Sequence, residues 1–309
     1  MNLLKRFLGA ASFLGAAVLS HAAPKTVPVS AVAVPPPVPG HPIGWCIRAK
    51  PEVFADAKSA GFEYVELAMQ DVLFLSDPDF QKLAARLQEL QLTALSGYNP
   101  IPKDANLLLI GPQTDRVREE KHIQLLLARA SALKLRYIIL NSGGAWRVPD
   151  KFPRERAFAQ LADFCGRLAD AADHAGLTVL IEPLRSSDTN LVTTIAEALK
   201  LVESVNRPNF QMMVDYSFLC IQKDNLDDLL KVGSHLRDIH ISNPPARTYP
   251  MDASESDYAS FFRILKQIDY HGGLSVHAGT KSFATEAPRA IAFLRKMAAD
   301  LAAAGPAQP

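Results

Sequence analysis

An excess of charge of either sign is missing from this chain. Lysine and arginine number 33 against 32 aspartates and glutamates, a net charge of +1 over 309 residues. That balance offers no electrostatic attraction to nucleic acid or to an anionic membrane surface. Cysteine is scarce. Cys46, Cys165 and Cys220 are too few for a disulfide framework, and their number is odd. They read as small core residues, with pairing of two of them left open if the compartment is oxidising. An apolar run long enough to span a bilayer is also lacking; the run at 7–19 is short and alanine-rich. No glycine-rich phosphate loop follows any apolar segment, which counts against a doubly wound dinucleotide fold.

The N-terminus carries a different pattern. Lys5 and Arg6 precede the 7–19 run, and Ser20, Ala22 and Ala23 are small residues suited to signal-peptidase cleavage. Residues 1–23 are therefore expected to be a secretory signal, making the protein periplasmic or secreted; the alternative is an uncleaved anchor. No cysteine near the cleavage site suggests lipid attachment. Residues 24–42 hold seven prolines and read as an extended, semi-rigid linker. A single folded domain is expected at 43–303, followed by a short tail at 304–309.

Within 43–303 short apolar runs alternate with longer amphipathic ones. The runs 43–47, 62–67, 92–96, 137–141, 178–182, 210–215, 236–242 and 273–277 have the length and composition of strands buried on both faces. The segments 51–60, 79–90, 115–133, 153–174, 193–205, 226–232, 258–268 and 285–301 have helical spacing. Asp79, Thr193 and Asp224 are expected to open helices, and Gly61 and Gly176 to follow them in left-handed caps. Eight such pairs in a chain of this size predict a (β/α)8 TIM barrel, whose chemistry sits at the C-terminal strand ends.

The last four strands each end in a metal-capable side chain: Glu182, Asp215, His240 and His277. Each alone has an ordinary explanation, such as a helix cap for Asp215 or a satisfied core histidine for His240. A shared divalent cation accounts for all four, since an isolated buried carboxylate is costly. The mixed oxygen and nitrogen set suits Mn²⁺, Zn²⁺, Co²⁺ or Fe²⁺. Glu66, ending strand 2, reads as a substrate ligand, an orienting group for a metal ligand, or a structural ion-pair partner. Arg247 reads as a substrate contact or a solvated loop residue. Trp45, Tyr98 and Trp146 offer an aromatic floor for a sugar, although aromatics near strand ends are more often core residues. Asn141 and Asn190 are placed to bond substrate or the loops around it. His41, His122, His174 and His271 read as surface residues.

Glu182-Pro183-Leu184 followed by Thr189-Asn190, then Asp215, His240-Ile241-Ser242 with Arg247 and Pro250, and Asp257-Tyr258 resemble the xylose isomerase-like TIM-barrel family. This is the sugar phosphate isomerase/epimerase group, which includes hydroxypyruvate isomerase and the ketose 3-epimerases. The Ser142-Gly143-Gly144 turn with Arg147 and Pro149 is similar as well. The likeness is strongest over 137–277 and weaker over 43–98, where Glu66 is the main match. It implies a metal held by Glu, Asp, His and Glu, the first three falling on Glu182, Asp215 and His240. It further implies proton transfer next to a carbonyl through an enediolate, by two glutamates on opposite sides of the sugar.

Two positions depart from that pattern. His277 stands where the family has glutamate, and Phe218 where it usually has histidine. An imidazole can bind metal and move protons near neutral pH, but it brings no negative charge, so the site would hold a more positive metal. Phe218 makes the surroundings more apolar. Glu182 and His277 are then the expected proton carriers. The leading expectation is a metal-dependent isomerase or epimerase of a non-phosphorylated sugar or keto-sugar. The alternatives are a lyase or hydratase on a keto-sugar or keto-glycoside, and a carbohydrate-binding barrel without catalysis. A DNA-repair barrel needs more histidine and acidic ligands than are found here. The partner is a small molecule, with no stable membrane insertion after signal cleavage.

Overall fold

Each of the eight apolar runs forms a strand, and the strands close on one another. The computed structural model describes residues 41–303. Its strands are β1 (Ile43–Ile47), β2 (Tyr64–Ala68), β3 (Thr93–Tyr98), β4 (Tyr137–Leu140), β5 (Thr178–Ile181), β6 (Phe210–Asp215), β7 (Leu236–Ile241) and β8 (Gly273–Val276). They pair in chain order, all parallel, and β1 pairs with β8 to complete a closed barrel. The expected signal segment, nearly all of the proline-rich linker and the tail at 304–309 lie outside the described residues. Among the described residues no helix is long and apolar enough to cross a membrane.

The helices are α1 (Pro51–Ala60), α2 (Asp77–Glu89), α3 (Arg116–Ala132), α4 (Arg154–Asp173), α5 (Ile195–Val205), α6 (Tyr216–Gln222), α7 (Leu229–Val232), α8 (Tyr258–Gln267) and α9 (Phe283–Ala303). Their ends follow local chemistry. Pro51 starts α1, where its missing N–H costs nothing, and Gly61 ends it at a φ of 92°. Gly176, after α4, also takes a positive φ. Three expected helix openers are displaced. Ser76 rather than Asp79 caps α2, and Thr194 rather than Thr193 caps α5. Asn225 rather than Asp224 opens the turn before α7. Each such cap is worth about 1 kcal/mol. The helix α6 was not expected; Asp215 starts it by accepting from the Phe218 amide.

Alternation along the strands divides the core in two. Tyr137 and Ile139 of β4, Leu180 of β5 and Met213 of β6 pack inside the barrel beside Leu95 and Tyr98. The intervening residues, such as Ile138, Val179 and Val214, face the helices in a larger outer layer. The period of two then carries Glu182, Asp215, His240 and His277 to the inner side at the C-terminal strand ends. Small residues make room lower down: a Cβ on Gly44 of β1 or Gly273 of β8 would lie 2.1 Å from the Tyr64 side chain. Two of the histidines read as surface residues are not. His122 is buried with Nε2 2.8 Å from the Pro100 carbonyl, because it lies on the apolar stripe of α3. His41 is half-buried, stacks on Tyr270 and bonds the Gly272 carbonyl. His174 and His271 are exposed as expected.

Candidate active site

The four strand-end residues meet at one end of the barrel. Glu182, Asp215 and His240 offer donor atoms that all lie within 4.8 Å of one another. The His277 ring joins them from the end of β8, with Nδ1 at 3.1 Å from His240 Nδ1 and 3.9 Å from Asp215 Oδ2. Asp215 does two jobs. Oδ1 accepts from the Phe218 amide, while Oδ2 accepts from Arg247 at 2.7 Å. Glu182 has no such support: it is buried, and neither carboxylate oxygen has a hydrogen-bond partner.

A polar layer beneath fixes His240. A register shift on β2 between Val65 and Glu66 brings Glu66 opposite Ser96 of β3. Its carboxylate accepts from Ser96 and Ser275 and faces His240 Nε2 at 3.1 Å. The Tyr64 hydroxyl in turn lies 2.7 Å from Ser275 Oγ. Burial of the His240 ring is outweighed by Cys46 and Glu66, which hold it well above its ordinary value; Nε2 is turned to Glu66 and Nδ1 to the strand-end cluster. Glu66 thus pairs with the His240 ring, a geometry shared by the orienting and the ion-pair readings.

Burial governs the electrostatics. Glu182 is pushed up to about 7 by burial and the nearby Asp215 charge, against the pull of His240, the Asn141 side chain and Arg247; Asn141 is close enough to draw it down without forming a hydrogen bond of ordinary geometry. Burial also raises Asp215, although Arg247, His240 and two backbone amides oppose it. Asp238, one inward position below His240, is raised well above the usual range by burial and the Glu66 charge. For Glu66 itself burial is outweighed by His240, Ser275 and Ser96, and its carboxyl is held low. His277 is held well below its ordinary value by burial and by the neighbouring His240, Arg247 and Arg185, so it is neutral.

The residues expected to bind substrate separate into two groups. Tyr98 belongs to the site: its ring meets His240 edge-on and lies 5.3 Å from the His277 ring. Asn141 is at the same end, where it accepts from the Asn99 amide. Arg247 reaches in from the loop after β7 with a left-handed φ of 54°, an uncommon conformation for a side-chain-bearing residue. The two tryptophans do not form a floor. Trp45 points outward, stacked on Phe62 and Phe283, because the adjacent Cys46 takes the inward phase. Trp146 is fully buried in the outer core. Asn190 ties loops together, bonding both backbone groups of Val148. Cys46 is expected from the sequence only as a small core residue, and Ser96, Asp238 and Ser275 carry no expected role, although a two-residue step back from His240 already places Asp238 inward.

The donor set fits a divalent cation. The orphaned oxygens of Glu182 lack a partner, and the two Nδ1 atoms face each other at a spacing suited to adjacent ligands with bonds of about 2.0–2.1 Å. The second imidazole also replaces the carboxylate that the resemblance would have put there. Phe218 lies under two guanidiniums, those of Arg185 and Arg247, with their centres 4.6 and 4.4 Å from its ring. Both arginines are neutralised, by Asp188 and Asp215.

Known proteins carry the same frame. The chain is 27% identical over 248 residues to L-ribulose 3-epimerase of Methylomonas sp. (strain DH-1), covering 78% of this chain and 81% of that one. It is 28% identical over 228 residues to 2-oxo-tetronate isomerase of Pectobacterium atrosepticum, covering 71% and 82%. Among solved structures, D-allulose 3-epimerase from Methylomonas sp. in complex with D-allulose superposes with a TM-score of 0.71 at 22% identity, over 84% of this chain and 98% of that one. A family model for the xylose isomerase-like TIM barrel matches residues 54–297. With its closed parallel barrel and its polar residues gathered at the C-terminal strand ends, the chain belongs to the xylose isomerase-like TIM-barrel family.

Proposed function

We propose that this protein is an isomerase or epimerase of a non-phosphorylated keto-sugar that works by moving a proton next to a carbonyl. One observation carries the reading: Glu182 is buried at the barrel end among Asp215 and His240, with neither oxygen in a hydrogen bond of ordinary geometry. A carboxylate whose oxygens the fold leaves uncommitted can take a proton from a substrate and return it. The relatives' names, an epimerase and an isomerase, support the reaction class. The reading of residues 1–23 as an export signal supports a substrate without phosphate.

Glu182, Asp215, His240 and His277 would hold a divalent cation of the Mn, Zn, Co or Fe type. What such an ion supplies when bound is polarisation of a carbonyl and a counter-charge for the oxyanion that proton loss creates. The residues do the rest. Glu182 removes the proton and holds it on its carboxyl. Glu66 keeps the His240 ring oriented. Tyr98 packs against the His240 and His277 rings, and Phe218 lies under Arg185 and Arg247. His277 is the second group able to carry a proton, through the ring edge that is not turned to His240.

The missing carboxylate on strand 8 favours a second outcome at the same site. With one carboxylate able to take a proton, abstraction can be followed by loss of a β-hydroxyl instead of return of the proton, which is a lyase reaction. The test is a panel of keto-sugars and keto-glycosides in D₂O with metal-supplemented protein. Deuterium appearing beside the carbonyl, and vanishing in Glu182→Gln, supports the proposal. A product lighter by one water selects the lyase. No exchange across the panel leaves a sugar-binding barrel without catalysis.

A further inference from the structure

Strand β1 contributes nothing to the ligand set that the resemblance implies, yet one of its side chains enters the site. The two-residue period of β1 turns Gly44 and Cys46 inward, and Cys46 pairs across the barrel wall with Glu66. On its other side β1 adjoins β8, with Trp45 opposite Val276, so Cys46 and His277 lead into the same corner. Cys46 Sγ and one ring nitrogen each of His240 and His277 lie within 4.8 Å of one another. Cys46 is buried and unpaired. His277 Nδ1 meets His240 Nδ1 at 3.1 Å, with Asp215 Oδ2 3.9 Å from His277.

Relative to its family's pattern, this chain has exchanged a hard oxygen donor on strand 8 for a nitrogen, and the position beside that nitrogen holds a sulfur. Thiolate and imidazole ligands together select ions of the zinc type over magnesium, calcium or manganese. We propose that Cys46 is a further ligand of the strand-end metal site, which takes a thiophilic divalent ion, foremost Zn²⁺, with the Cys46 sulfur joining His240 and His277 beside the Glu182 and Asp215 carboxylates. The inference rests on the metal reading of this site. Ligation is a simple exchange: the Sγ–H bond breaks, the proton passes to solvent, and a sulfur–metal bond forms without change of oxidation state.

Cobalt reports sulfur directly. Co²⁺ titrated into the metal-free full-length protein is expected to give visible d–d bands together with a near-ultraviolet thiolate-to-cobalt charge-transfer band. Cys46→Ser loses the near-ultraviolet band, while a Cys165→Ser/Cys220→Ser variant keeps it. Zn²⁺ affinity of Cys46→Ser falls by more than the about 10–100-fold that loss of a supporting partner costs. Cys46→Ala and X-ray absorption on zinc-loaded wild type guard against a folding defect in the serine variant; the spectrum should contain one sulfur at about 2.3 Å. Visible bands without the charge-transfer band, or a band that survives Cys46→Ser, overturns the assignment and leaves an oxygen–nitrogen site standing. Failure of the wild type to bind cobalt overturns the metal reading along with it.

Discussion

Replacing Glu66 with glutamine separates its support of His240 from its share in holding the barrel together. Glutamine keeps the shape and one acceptor but loses the charge. The Ser96 and Ser275 hydroxyls, which donate to the carboxylate, can rotate to accept from the new amide, so most of the buried layer stays bonded. The contact that changes in kind is the one to His240 Nε2 at 3.1 Å. A hydrogen bond to a charged partner is worth about 1.5–3 kcal/mol and a neutral one about 0.5–1.5, so the loss at this contact is about 1 kcal/mol. Passed through the imidazole in full, it should appear as a drop in metal affinity of about 5-fold. Glu66→Ala is harsher. It strands the His240 Nε2 proton and two buried hydroxyls, and should cost about 3–5 kcal/mol.

The assays are calorimetric titration of Zn²⁺ or Co²⁺ above neutral pH, where protons compete least for the imidazoles, and urea unfolding in chelator. Glu66→Gln should keep most of its urea midpoint while losing metal affinity. Glu66→Ala should lose both. A glutamine variant that binds metal as tightly as wild type refutes the orienting role and reduces Glu66 to a structural anchor.

Three further outcomes follow from the geometry. Gly273→Ala would set a Cβ 2.1 Å from the Tyr64 hydroxyl, and Gly44→Ala one 2.1 Å from the Tyr64 ring carbon Cε2. Each should destabilise by about 1–3 kcal/mol. Tyr64→Phe should partly rescue the first and not the second in a urea double-mutant cycle; equal rescue would contradict this packing. Arg247→Met strips Asp215 of its guanidinium and should cost about 3 kcal/mol in chelator. Excess Zn²⁺ should recover most of that loss, and an equal loss with and without metal counts against Asp215 as a ligand. His122 is lowered by burial, with its bond to the Pro100 carbonyl only partly offsetting this. A folded value below the unfolded one means its contribution is full above the unfolded value of about 6.5 and is lost as pH falls through the folded one. Between neutral and mildly acidic pH, the urea midpoint of His122→Gln should therefore fall less than that of wild type.

Strand phase was legible only where a polar residue marked it. On strands 5 to 8 a single carboxylate or imidazole at the end fixes which alternate positions face inward, and Glu182, Asp215, His240 and His277 came together as the pattern demands. On β1 the run Ile-Gly-Trp-Cys-Ile is buried on nearly every side and carries no such mark. Trp45 was therefore given the inward role that Cys46 holds. The helix α6 was hidden for a related reason: its seven residues follow the apolar β6 without a polar break, and the one signal, Asp215, had already been assigned to a metal. His122 shows the reverse error. Its spacing with Ile123, Leu126 and Ala130 already placed it on the buried stripe of α3, but residue type outweighed position.

The charge arrangement explains why proton chemistry converges on one residue. Four carboxyl groups face the barrel interior or its C-terminal end, and the fold disposes of three of them. Glu66 is held ionised by two serines and a histidine. Asp215 is held by the Phe218 amide on one oxygen and Arg247 on the other, which offset its charge and leave a lone pair on each. Asp238 lies below His240, kept protonated by burial and by the Glu66 charge, and one of its oxygens accepts from the Ile239 amide. Of these four, Glu182 is the one with neither oxygen in a hydrogen bond of ordinary geometry, and burial raises its carboxyl. A carboxylate spared every stabilising partner costs folding energy, and persists where something outside the protein's own hydrogen bonds completes it. A cation on one side and a substrate C–H on the other answer that description. On the proposed function, the loss of the strand-8 carboxylate is compatible with catalysis because Glu182, on strand 5, is the group assigned to move the proton.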